Sequence, residues 1–391
     1  MMTLIFIRSL QQVKHKYLKP TYLANRSSWI LILQVAICLF ISSCTQNLPK
    51  ATPAEITILE NAMTGKGSEY SQPRLVLGEL TVQIDSIGLL AGESLANDNA
   101  QREIPTQEPP SIHIWSADIL PYKTQLLVED GTYNPTPDTS YRDAEFGNHI
   151  LYWNLSQELN TETSISITRK FKYITYDYRP HVDPVAERQN WSDIPDDIIT
   201  KYTRSEPFLE QDDALVDTVF RLLENVSDPV QQARTIYNWV QQKMTYVYPP
   251  EGRGVRFAYE TFSGDCGQFT ALFTTMARIA GIPTRQQSGL NFYPGNTGYH
   301  VWSEVYFPVK GWVPVDATRK DGFLHLDNGR LISSIGLNIP LNDIPEWARF
   351  SNSELEAGRT DFMQMFTLAS SGVTAKFGAQ RIVHRSVMLQ N

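Results

Sequence analysis

Two textures of hydrophobic patterning divide the chain. Between residues 74 and about 183, apolar and polar side chains alternate in short runs (75–84, 112–115, 125–128, 149–153 and 164–178). Turn-forming residues bound these runs, and the pattern predicts half-buried strands. Helical spacing then takes over. Val230, Ala233, Ile236, Tyr237, Val240 and Met244 share one face of a helix that Asp228 can cap and Pro229 can open, with Gln231 where a capping box wants Glu or Gln. An earlier helix over about 213–224 is expected to turn Val216, Val219, Phe220 and Leu223 inward. A third starts near Cys266, buries Phe269, Leu272, Phe273, Met276, Ile279 and Ala280, and stops at Gly281 and Pro283. Alternation returns over 299–307, and after a turn at 308–311 a returning strand is expected over 312–317. The prediction is an α+β chain, with an antiparallel β-sandwich over 74–183 ahead of a second domain over 184–345. Residues 91–111 read as a long loop. Residues 346–391 stay unassigned, apart from a short helix near 353–357.

Chemistry concentrates where the third helix begins. Cys266 lies in its first turn, where unpaired N–H groups and the positive end of the helix dipole favour a thiolate and can hold an oxyanion. Gly264 and Gly267 flank it and are expected to leave room for a substrate. His300 and Asp316 fall on the two strands joined by the 308–311 turn, as diagonal neighbours within reach of a hydrogen bond. A nucleophile needs a base, and the base an orienting group. Cys266, His300 and Asp316 can fill those roles in that order. Trp302 and Trp312 are expected to pack, Glu304 to be exposed, and the aromatic and glycine-rich loop over 291–298 to border the cleft or merely to connect two strands. The remaining histidines show no metal-ligand spacing, so neither a metal nor another cofactor is expected.

These blocks carry a resemblance. Gly264, Asp265, Cys266 and Gly267, the helix end over 280–285, Tyr299 to Trp302, and Gly311 to Thr318 together resemble the core of the transglutaminase-like superfamily. The lead-in helix with Tyr246, and the less specific trailing segment from Leu326 to Leu331, are similar too. The resemblance covers roughly 225–340. It implies a papain-like core, a helix packed on an antiparallel sheet, and a family of crosslinking enzymes, thiol proteases, amidases and members that have lost catalysis.

Composition changes the picture chiefly at the N-terminus. With 42% hydrophobic, 11% aromatic and 19% charged residues, the 391-residue chain has the make-up of a folded protein. Residues 1–43 hold five basic side chains and no acidic one, so the overall charge of −8 conceals 29 basic against 42 acidic side chains in the rest. Such a surface repels phosphate backbones, and nucleic acid is not expected as a partner. The basic stretch precedes an apolar run over 29–41, about 20 Å as a helix, too short for a hydrocarbon core of about 30 Å. This is the order of an export signal over 1–43. Ile41, Ser42, Ser43 and Cys44 resemble a bacterial lipobox, which makes Cys44 the expected lipidation site and 44–73 a flexible tether, with plain secretion or an uncleaved anchor as the alternatives. Of the three cysteines, only Cys266 then remains as a thiol in the exported body.

The functional expectation is a membrane-anchored bacterial lipoprotein, in the periplasm or at the cell surface. It would carry out cysteine-dependent acyl transfer or hydrolysis on protein, peptide or peptidoglycan-like amides through a thioester, with hydrolysis favoured over crosslinking. The alternative is a surface-anchored binding or assembly protein whose triad is vestigial.

Overall fold

Leu59 and Ala62 convert much of the expected tether into ordered structure. They share the buried face of helix α1 (Pro53–Met63), whose start Thr52 and Glu55 close as a capping box. That face packs on Leu75, Ile174, Tyr176 and Val387. A computed structural model describes residues 50–89, 110–157, 159, 164–293, 296–345, 358–361, 363, 366–377 and 381–389. The export signal, Cys44, the core of the 91–111 loop and the short helix near 353–357 lie outside these residues.

The strand-rich part runs β1 (Tyr70–Leu89), β2 (Ser111–Ala117), β3 (Gln125–Asn134), β4 (Thr139–Arg142), β5 (His149–Asn154) and β6 (Ser164–Tyr178). Helices α2 (Pro184–Gln189), α3 (Asp196–Tyr202), α4 (Asp213–Leu223) and α5 (Pro229–Lys243) follow. Next come β7 (Thr245–Tyr246), α6 (Gly254–Thr261), β8 (Ser263–Gly264) and α7 (Cys266–Ile279). The second sheet is built from β9 (Thr284–Tyr293), β10 (Asn296–Phe307), β11 (Gly311–Val315) and β12 (Arg330–Ile335). The chain ends with β13 (Ile339–Pro340), β14 (Arg359–Thr360), β15 (Phe366–Ser371), β16 (Val373–Phe377) and β17 (Arg381–Met388).

Alternation along β1, β2, β5 and β6 buries Ile84, Ile112, Ile114, Leu151, Trp153, Ile165 and Ile167 in one layer shared by two antiparallel sheets. The C-terminal segment, unassigned from sequence, supplies strands to both: β16 and β17 pair with β1, and β15 pairs with β2. Closing the first strand with the last satisfies backbone groups that would otherwise form an open edge.

The sheet of β9 to β12 has the antiparallel order β11-β10-β9-β12. Helix α7 packs on it, joining Leu272, Phe273 and Met276 to Val305, Phe307, Val313 and Val315 in the largest apolar cluster, to which α4 and α5 add their inner faces. In α4 that face is Leu215, Val219 and Leu223, and Phe220 is exposed, contrary to expectation. An i, i+4, i+8 stripe leaves the residue one step past Val219 about 100° out of line. Glu304 corrects a second expectation. It is buried because Tyr122 of the strand-rich part covers it, and it accepts hydrogen bonds from the Tyr122 hydroxyl at 2.7 and 2.8 Å and from Arg285 at 2.8 and 2.9 Å. Trp302 is fully buried with Leu120, Leu326, Ile332 and Ile335, as a packing residue should be. The segment over 291–298 joins β9 to β10, with Tyr299 paired to Leu290. Among the described residues no helix is long and apolar enough to cross a membrane.

Candidate active site

The start of α7 is fixed by Asp265. Its carboxylate accepts from the Gly267 N–H at 2.8 Å, and the Gln268 side chain accepts from the Asp265 N–H at 3.3 Å, a reciprocal cap that makes Cys266 the first helical residue. Gly264, expected to make room for substrate, serves the cap instead. Its φ of +154° is open to glycine, and a Cβ there would strike the Gln268 side chain. The helix is then set in register against β10. Thr270 donates to the Val301 carbonyl at 3.1 Å, and the Thr274 and Ser303 hydroxyls meet at 3.0 Å. Four helical residues advance about 6 Å and two strand residues about 6.8 Å, so the stripe Cys266, Thr270, Thr274 stays in step with β10. Stepping back one turn from Thr270 brings Cys266 level with residues 299 and 300.

His300 and Asp316 meet as the spacing suggested. Ser303 pairs with Val315, which places Asp316 just beyond the end of β11 and diagonal to His300. The His300 Nε2 lies 2.8 Å from the Asp316 Oδ2, so Nδ1 is the imidazole nitrogen left for Cys266. The His300 ring also stacks on Trp302, with centroids 5.9 Å apart, and Trp302 is held by an indole N–H donated to the Gln287 side chain at 2.7 Å. Cys266, His300 and Asp316 are 9%, 6% and 2% exposed, so the three lie beneath the surface and not in an open hydrophilic cleft.

Four donors surround the Asp316 carboxylate. Oδ1 accepts from the Thr318 N–H at 3.1 Å and hydroxyl at 2.6 Å, and Oδ2 accepts from His300 and from the Arg330 guanidinium, each at 2.8 Å. Burial alone would raise this carboxyl; His300, Arg330 and Thr318 together hold it far below the usual carboxylate range. Its loop is pinned from behind. Asp316 donates its N–H to the Gly322 carbonyl at 2.8 Å, Gly322 donates to the Tyr237 hydroxyl of α5 at 3.1 Å, and a Cβ on Gly322 would collide with the Asp316 carbonyl. Arg330 and Thr318 stood in the sequence blocks without a role, and tertiary pairing supplies one.

The thiol behaves differently from the expectation for a helix start. Burial, then the neighbouring Asp265 carboxylate, pushes Cys266 up to about 12, against backbone hydrogen bonding from Val301 and Gly267. The helix start offsets burial only in part, because Asp265 also accepts from the Gly267 N–H. Among the described residues the thiol is bonded to backbone and not to the imidazole. Tyr246, half-exposed on β7, lies with its phenol against the Cys266 backbone, and its own hydroxyl is pushed up to about 12 by burial and by Cys266. No other cysteine is described, and Cys266 is free.

Asp316→Asn tests the electrostatics of the site. A carboxyl held low in the folded state contributes stability above its unfolded value near 3.9 and loses that contribution as pH falls through the folded value. At pH 7 the variant should be less stable by about 3–5 kcal/mol, because Arg330 and His300 lose a buried partner. Below about pH 4 the gap between wild type and variant should narrow, as read from urea unfolding at several pH values. A gap independent of pH would contradict the assignment.

Similarity to known proteins centres on the same segment. The family described as the transglutaminase-like superfamily matches residues 216–317. The uncharacterized protein YebA of Bacillus subtilis is 26% identical over 145 residues, 30% of this chain and 20% of that protein. An uncharacterized protein of Haemophilus influenzae is 25% identical over 146 residues, 30% of this chain and 40% of its own length. The chain thus matches less than half the length of either relative. The crystal structure of a candidate cysteine protease from Cytophaga hutchinsonii superimposes with a TM-score of 0.55 at 14% identity, covering 83% of this chain and 92% of that one, a likeness of fold. Residues 216–317, with Cys266 at the head of α7, match the transglutaminase-like superfamily.

Proposed function

We propose that this protein is an extracytoplasmic cysteine enzyme that cleaves or transfers acyl groups from amide bonds through Cys266, His300 and Asp316. Family and fold support a cysteine-dependent enzyme in general. The observation that carries the finer reading is the alignment of Cys266, at the first residue of α7, with a strand whose His300 is bonded to a saturated buried carboxylate. A thiol held neutral cannot attack by itself, so its proton must pass to the imidazole as the sulfur closes on a carbonyl carbon. His300 Nδ1 receives that proton and returns it to the departing amine, leaving a thioester on Cys266. Water or a second amine then attacks the thioester, gives its proton to His300, and the thiol is restored. Asp316 holds the imidazole oriented throughout and stabilises its charged form. The Cys266 N–H is the donor proposed for the oxyanion, and the Tyr246 hydroxyl bonded to that backbone must move aside for it to serve.

Peptide or peptidoglycan-like amides are the proposed substrates, with hydrolysis favoured. Incubating the protein with labelled peptides, with and without an added primary amine, should give cleavage that Cys266→Ala abolishes, at least a 10³-fold loss by analogy with nucleophile deletions. Amine incorporation in place of cleavage would reassign the enzyme as a transglutaminase. Neither product, together with no effect of Cys266→Ala, would favour a binding or assembly protein with a vestigial triad, a reading that the buried neutral thiol keeps in play.

The proposed location rests on the basic, then apolar, then small-residue order that ends at Cys44. Acylation of Cys44 would anchor the folded body to a membrane. Cys44→Ser should release the protein into the soluble fraction or leave its signal uncut; unchanged membrane attachment would refute lipidation.

A further inference from the structure

We infer that Arg330 is a positioning residue for this chemistry, one that shares Asp316 with His300 and sets the charge felt by the Cys266–His300 pair. The inference rests on the reading of that pair as the reacting groups. Arg330 opens β12, Asn291 faces it on β9, and His300 lies on β10, so β12 and β10 reach one carboxylate from either side of β9. The Arg330 Nη2 donates to Oδ2 of Asp316 at 2.8 Å, and the same oxygen meets the His300 Nε2 at 2.8 Å. Nη1 is taken by the Asn291 side-chain oxygen, which fixes the guanidinium from its other side. The Tyr293 and Trp302 rings lie 5.2 and 6.0 Å from the guanidinium carbon, and Trp302 is also the ring that stacks on His300. Arg330 is 4% exposed.

A buried cation so placed does more than fill a lone pair. Asp316 carries one negative charge, and two donors draw on the same oxygen. The imidazole therefore sees a carboxylate already partly neutralised. Removing the cation favours every protonated form nearby. Both limbs of the pH profile should then move to higher pH, whichever partner of the pair holds the shared proton. Lysine preserves the charge but not the fork that spans Asp316 and Asn291, so it should keep the limbs and lose rate.

Two readouts on the full chain test this. The first is the pH dependence of Cys266 alkylation by iodoacetamide, which needs no substrate. The second is kcat/KM for the labelled peptide. Arg330→Gln should shift the alkylation profile upward by about one pH unit and lower kcat by about 10- to 100-fold with KM little changed. Arg330→Lys should leave the profile in place while lowering kcat. Profiles of Arg330→Gln that coincide with wild type would overturn the inference. Should that variant fail to fold, Asn291→Ala carries the test, since freeing the guanidinium on one side should slow alkylation several-fold, and an unchanged rate overturns the inference equally. A wild-type protein that turns over no peptide would count against the proposed function alone, because the alkylation profiles would still decide the role of Arg330.

Discussion

Asp316 is the constraint on which the site depends. A buried carboxylate is tolerable only when its lone pairs are filled, and here the four donors come from three places in the chain: His300 on β10, Arg330 on β12, and the N–H and hydroxyl of Thr318 in its own loop. Satisfying them requires β9 to β12 to be in register and the loop after β11 to be closed by Gly322 and Tyr237. The orientation of the imidazole is thus a consequence of the whole sheet. On the other side, α7 reaches the same strand through Thr270 and Thr274, and this alignment brings Cys266 level with residues 299 and 300.

The electrostatics of the two halves differ in kind. The carboxylate is stabilised as an anion by surrounding donors, whereas the thiol, buried beside Asp265, is stabilised as a neutral group. Burial outweighs the pull of the helix start on the thiol, and Asp265, which shares the Gly267 N–H, adds to it. A high resting value is compatible with nucleophilic chemistry only if proton transfer to His300 accompanies attack, which places the weight of catalysis on the imidazole.

Much of this was legible in the sequence, because the relevant signals are local. The 3.6-residue spacing after Cys266, the terminating Gly281 with φ +77°, and the Asp228 and Pro229 start of α5 all appear as read. So does the diagonal relation of His300 to Asp316, which follows from counting across a short turn. What escaped depends on distant segments. Glu304 looked exposed because nothing nearby reveals that Tyr122 covers it. Residues 346–391 looked featureless because β15, β16 and β17 pair with β2 and β1, between 250 and 314 residues earlier. Arg330 was visible only as part of a trailing motif, since its role exists only once β12 lies beside β9. The expected fall in the Cys266 pKa fails first because the thiol is buried, which the local sequence does not reveal, and second because the Asp265 carboxylate caps the helix beside it.

The central claim is that Cys266 becomes an acyl carrier only with the help of His300. Intact-mass measurement after mixing the protein with a 4-nitrophenyl ester at pH 7 tests it most directly. The account predicts one hydroxylamine-labile acyl group, located on Cys266, formed in wild type and reduced to background in His300→Ala. Absence of acylation at Cys266, or equal acylation in wild type and His300→Ala, would contradict it.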